Sequence, residues 1–166
     1  MNTLILYGSK HGCTETCAQM LADRLTGEVD KINVNQKADV DLSKYDTVVV
    51  GSPVYVGQIL KEVRTFTDTH LNELKEKRLG LFICGMQEEH TLREELEINY
   101  PEELRKAALV RACFGGEYHF DTMNLIEKMI IRKVAKVKTD VSEIREETIK
   151  EFAQTMNDSH EPIEQT

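Results

Sequence analysis

Three short stretches of this chain gather residues able to do chemistry, and the first lies close to its start. Gly8-Ser9-Lys10-His11-Gly12-Cys13-Thr14 holds two glycines, two hydroxyls, a cation, an imidazole and a thiol. Placed between a strand and a helix, such a loop suits a phosphate. The N–H groups that open a helix have no intrahelical partner and lie at the positive end of its dipole. Gly12 permits the tight turn that makes successive N–H groups converge, while Ser9 and Thr14 add hydroxyl donors and Lys10 and His11 add polar reach. The same residues equally suit a plain strand-to-helix turn, with Thr14 as the cap and the glycines serving geometry alone. No Lys-Ser or Lys-Thr pair follows Gly12, and no GxGxxG is present, so nucleoside triphosphates and dinucleotides are disfavoured.

The second stretch is Gly51-Ser52-Pro53-Val54-Tyr55-Val56-Gly57. Its glycines let backbone approach a planar ligand, Pro53 stiffens it and Tyr55 offers an aromatic face. On these residues alone, a strand ending in a buried tyrosine is the better reading. The third is Cys84-Gly85-Met86-Gln87, continuing to His90; a fourth pair, Gly115-Gly116, ends a later apolar run. Of the four cysteines, Cys17, Cys84 and Cys113 are expected to pack in the core. Cys13 stands apart, because a helix N-terminus lowers a thiol's pKa. Cys13 and Cys17 are four apart, a CxxxC rather than a redox CxxC, and two ligands are too few for zinc. No metal site is expected. No serine, histidine and acid set suggests a hydrolase, and the catalytic residue of any reaction is left unassigned.

Short apolar runs and amphipathic stretches alternate around these loops. Residues 3–7 (TLILY), 29–34, 47–50 (TVVV), 79–84 (LGLFIC) and 109–114 have strand character, the second of them weakly and nearer an edge. Residues 13–25, 59–70, 88–98, 101–107, 123–137 and 143–156 have helical spacing, with Pro101 opening the fourth. Strands apolar on both faces and alternating with helices predict an α/β fold: an open five-stranded parallel sheet, doubly wound. Ligands bind such sheets beyond the carboxyl ends of the strands, where the loops just described begin.

The 166 residues fit one domain, assigned to residues 1–157, with 158–166 as a frayed tail. Hydrophobic residues make up 40% and the net charge is −8, with a pI near 5.2. An acidic chain is a poor nonspecific binder of nucleic acid. No apolar run is long enough to cross a bilayer, the first residues have strand rather than signal-peptide character, and four cysteines fit a reducing cytoplasm. One stretch departs from the acidic balance. From Met123 to Lys138, Lys128, Arg132, Lys133, Lys136 and Lys138 oppose Glu127 alone. A basic amphipathic helix of this kind suits either peripheral contact with the inner membrane face or a sheet-covering helix with a solvated face, and the latter is favoured.

The pattern S-x-x-G-x-T-E from Ser9 to Glu15, and GSPVYVGQI after YDTVVV, resemble the phosphate and ring loops of the flavodoxin family. His11 and Cys13 replace residues that are usually hydroxyl or amide in that family. With RACFGG and the basic stretch, nearly the whole chain up to about Met156 resembles the branch that includes menaquinone-dependent protoporphyrinogen oxidases. The resemblance implies strand order 2-1-3-4-5 and noncovalent FMN. Its phosphate would sit on Ser9, Lys10, His11, Gly12, Cys13 and Thr14. The ring would lie between Ser52, Pro53, Val54, Tyr55, Val56 and Gly57 on one side and Cys84, Gly85, Met86 and Gln87 on the other, bordered by Gly115 and Gly116. It implies an FMN-dependent oxidoreductase with a quinone or other small-molecule acceptor, or alternatively an electron-transfer flavodoxin serving a partner protein. The absence of tryptophan and of an aromatic residue in the third loop favours the first.

Overall fold

The computed structural model describes residues 2–9, 12–36, 39–118, 129 and 141–158. Five strands form the parallel sheet: β1 (Asn2–Tyr7), β2 (Glu28–Asn33), β3 (Thr47–Tyr55), β5 (Arg78–Cys84) and β6 (Val110–Cys113). A two-residue strand, β4 (Gln58–Ile59), folds back antiparallel on the end of β3. The sheet order is β2-β1-β3-β5-β6, with every pair along it parallel. Counting the parallel strands alone, this is the expected 2-1-3-4-5. The most polar strand, β2, lies at an edge, as its weak alternation suggests.

Alternate strand residues feed two cores. Leu4, Leu6, Val48, Val50, Leu79, Leu81 and Ile83 face the helices α2 (Lys61–Thr69), α3 (Leu71–Lys75), α4 (Glu89–Asn99) and α5 (Glu102–Ala107). Ile5, Tyr7, Val49, Phe82 and Cys84 face α1 (Cys13–Ala22) and α6 (Glu146–Asp158). Burying both faces of a strand is what continuous apolar runs such as TVVV require. On the second face Phe82 and Phe114 stack with ring centres 4.5 Å apart, and Phe152 of α6 meets Phe114 edge-on at 5.1 Å. The Phe82 ring lies across Gly51, where a Cβ would fall 2.0 Å from it. The bare face of Gly51, expected to admit a planar ligand, is therefore filled by the core.

Several elements differ from the sequence expectation, beginning with β3, which runs on through Ser52, Pro53, Val54 and Tyr55 rather than ending at Val50. Ile59 was expected on an amphipathic helix from 59 to 70; it is in β4, because a tight turn at Val56-Gly57 reverses the chain before α2 can start. α3 was not anticipated at all. Gly115-Gly116 does not simply close the last strand. Gly115, at φ +78°, turns the chain out of the sheet into β7 (Gly115–Tyr118), which pairs antiparallel with β8 (Val141–Ile144). A Cβ on Gly115 would lie 2.0 Å from the Glu143 carbonyl oxygen, so only glycine fits there. The expected helix from residue 143 accordingly begins at Glu146, after β8.

Candidate functional site

Strand register brings the candidate loops into one row at the carboxyl edge of the sheet. Tyr7 pairs with Gly51, Pro53 with Cys84, and Ile83 with Cys113. Backbone bonds extend the row past the strand ends, from Gly8 N–H to Gly51 O at 3.1 Å and from Gly85 N–H to Gly115 O at 2.8 Å. Strand order reverses between β1 and β3, because the chain steps outward from β1 to β2 and then returns to the other side of β1. Open α/β sheets leave their ligand crevice at such a switch point.

The loop after β1 is shaped by Gly12. It precedes α1 in the left-handed region, at φ +88°, and no side chain caps the helix. Its N–H donates to Ser9 Oγ at 3.1 Å, and its carbonyl accepts from Thr16 N–H and Thr16 Oγ1, each at 3.0 Å. Thr14, the cap of the plain strand-to-helix reading, does not cap. It is fully buried in the first turn, and its hydroxyl has no hydrogen-bond partner among the described residues. A buried hydroxyl without a partner costs about 1–3 kcal/mol. This one lies in the first turn of α1, next to Cys13 and two residues after Gly12. Cys13, expected to be the reactive cysteine, is buried as well. Lys10 and His11 lie outside the described residues.

The second loop is a two-residue hairpin. Val56 and Gly57 both have positive φ, at 51° and 77°, as a type I′ turn demands. For valine this is a rare conformation, and its side chain points to solvent, 78% exposed. Below the turn, Ser52 is fully buried; its hydroxyl accepts from Leu60 N–H at 3.0 Å and donates to Pro53 O at 2.9 Å. Tyr55 is half-buried, not buried as the residues alone suggested, and Val54 is buried in the core.

A residue that the sequence did not single out holds this hairpin. Asn99, near-fully buried at the end of α4, uses both ends of its amide. Its Oδ1 accepts from Ile59 N–H at 3.1 Å and Arg64 Nη2 at 2.8 Å, while Nδ2 donates to the carbonyls of Gly57 at 2.9 Å and Glu95 at 2.8 Å. The turn is thereby tied to two helices. Beside it, burial pushes the Glu95 carboxyl up from its usual range, and one carboxylate oxygen is shielded without a partner among the described residues.

In the third loop, Gly85, Met86 and Gln87 are half-buried and Glu88 and His90 exposed, the last two paired at 3.4 Å. Gly116 packs against this loop. A Cβ there would lie 3.0 Å from the Gly85 carbonyl carbon and 3.2 Å from Met86 Cγ. The Gly115-Gly116 pair thus touches the third loop by backbone, and its smallness is used in that packing. Tyr7, at the end of β1, has its hydroxyl pushed up in pKa by burial and by a hydrogen bond to Glu15. Apart from exposed Met129, the basic stretch from Met123 to Lys138 lies outside the described residues, as do 159–166 of the expected tail. Among the described residues no helix is long and apolar enough to cross a membrane.

Comparison with known proteins places this architecture. No curated protein sequence matches the chain. Oxidised flavodoxin 1 from Bacillus cereus superposes with a TM-score of 0.63 at 14% identity, over 98% of this chain and 100% of that one. Two-electron reduced flavodoxin from Megasphaera elsdenii gives 0.57 at 15% identity, over 92% and 98%. A flavoprotein in complex with FMN from Lactobacillus acidophilus NCFM gives 0.51 at 17% identity, over 68% and 92%. At these identities the likeness is one of fold. The family model described as a flavodoxin domain matches residues 4–144, and the chain belongs to the flavodoxin domain family.

Proposed function

We propose that residues 1–157 form a unit that binds FMN noncovalently and carries electrons with it. The observation that supports this most is the meeting of a left-handed Gly12, the start of α1 and the unpartnered Thr14 hydroxyl at the switch point of a flavodoxin-family sheet. Ser9, Gly12, Cys13 and Thr14 would hold the phosphate, chiefly through backbone N–H groups at the positive helix end, with Lys10 and His11 beside them. That grip depends on backbone shape, so Cys13 in place of a hydroxyl or amide residue does not remove it. Pro53–Gly57 and Cys84–Gln87 would flank the ring, with Asn99 fixing the height of the hairpin. When bound, FMN supplies one- and two-electron redox chemistry; the protein positions it and tunes its potential. The acidic chain disfavours extra negative charge near the ring, which lowers the potential.

An electron-transfer role with a protein partner fits the acidic surface, since carriers dock by charge complementarity. The enzyme reading, with a quinone or a porphyrinogen as small-molecule substrate, is favoured by a different observation. The third loop presents Met86 and Gln87 rather than an aromatic ring, which leaves one flavin face less covered. Reductive titration separates the two: two resolved one-electron steps favour the carrier, a single two-electron step the enzyme. The test of the cofactor itself is FMN titration of the purified chain. Flavin fluorescence quenched to a one-to-one endpoint is expected; protein that neither quenches FMN nor is thermally stabilised by it would refute the proposal.

A further inference from the structure

Cys13 and Cys17 lie one turn apart on α1, and Cys84 ends β5 against them. Their three sulfurs all fall within 4.8 Å of one another. The residues are 8%, 0% and 2% exposed, and no disulfide joins them. Spacing along the chain pointed only to Cys13 and Cys17; it is the sheet that brings Cys84 to the pair. The surroundings are apolar, with Tyr7, Phe82 and Phe114 in the same cluster.

We infer that Cys13, Cys17 and Cys84 form a three-sulfur site for a soft, low-coordinate cation, Cu(I). The donor set decides the class of ion, because thiolates select soft metals over those that prefer oxygen or nitrogen. Coordination number decides within that class. Zinc is almost always four-coordinate, and among the described residues no further Cys, His, Asp or Glu joins the group. Metal–thiolate bonds of about 2.3 Å around a trigonal ion space the sulfurs about 4 Å apart. Closing a triangle with sides of at most 4.8 Å therefore takes side-chain movements alone. Cys13, the least buried of the three, is the point of entry. Each Cu–S bond forms as a thiol releases its proton to solvent, and the copper stays Cu(I) throughout. Of the three thiolates so created, that of Cys13 lies at the first turn of α1, where the helix dipole stabilises it.

The test is anaerobic Cu(I) titration of the full chain against a chromophoric Cu(I) chelator, with X-ray absorption on the loaded protein. One ion per chain, a near-ultraviolet thiolate charge-transfer band and three sulfur neighbours are expected. Cys17→Ala and Cys84→Ala should each weaken binding at least tenfold. Cys113→Ala, in the core on the other side of the sheet, should leave it unchanged. The inference is overturned if the chelator keeps the copper, if the shell holds two sulfurs or any nitrogen or oxygen, if Cys113→Ala loses as much as the other two, or if Zn(II) is taken in preference. Should either variant fail to fold by circular dichroism, stoichiometry and shell on the unaltered chain decide. None of these readouts depends on flavin.

Discussion

The loops after β1 and β3 flank the same switch point and are held by opposite means. The first takes its shape from close by in sequence: a left-handed Gly12, its N–H bonded to Ser9 Oγ and its carbonyl to Thr16 N–H and Oγ1, all within a few residues of chain. The second takes its position from a side chain far away in sequence, Asn99, whose amide bonds to the turn, to β4 and to two helices. A loop of the first kind is local and separable. One of the second kind is as stable as the helix that anchors it.

If that contrast is right, disturbing the anchor costs most. Asn99→Leu strands the buried Ile59 N–H and the half-buried Gly57 carbonyl and Arg64 guanidinium. A loss of about 2–4 kcal/mol in urea unfolding is expected. A loss under 1 kcal/mol would mean the hairpin holds itself. Gly12→Val comes next. A Cβ at Gly12 meets nothing within 4 Å among the described residues, so the main penalty is the left-handed backbone, about 1–2 kcal/mol. The folded protein should survive, while FMN uptake should disappear; a variant that keeps its yellow colour would show that the phosphate is held elsewhere.

Val56→Asn works in the other direction. It places in the turn a residue that tolerates positive φ, and should stabilise the protein by about 1 kcal/mol. No gain in thermal midpoint would show that Asn99 absorbs the strain. The smallest effect is expected at Glu95. Its folded pKa is raised, so the carboxyl favours the fold when protonated and that contribution is lost as pH rises through the folded value. Glu95→Gln should therefore raise the urea midpoint slightly at neutral pH and not at acid pH, where glutamate is neutral too. An equal gain at both would remove the charge explanation.

The same contrast explains what the sequence could convey. The parallel strands were legible because burial on both faces forces continuous apolar runs, and the loops after β1 and β5 were legible because their residues adjoin those runs. Asn99 could not be read. Its partners are up to 42 residues distant, and an asparagine at the end of a helical pattern has many ordinary uses. Only the sequence E-I-N-Y, with a polar residue on the apolar spacing of Leu92 and Leu96, gave a signal. β4 was hidden for a related reason: two residues are too few to show a period of two. Cys84 was read as core, which it is, but its neighbours across the sheet were invisible to spacing along the chain.

The β7–β8 ribbon has a consequence for how this protein could be remade. Tyr118 and Val141 are paired in register at the end of this ribbon. The two ends of the intervening stretch are thus held side by side on a ribbon whose base packs against the loop after β5. A tight turn, a longer insertion or a segment from another protein could be spliced between these two positions while the five central strands keep their register.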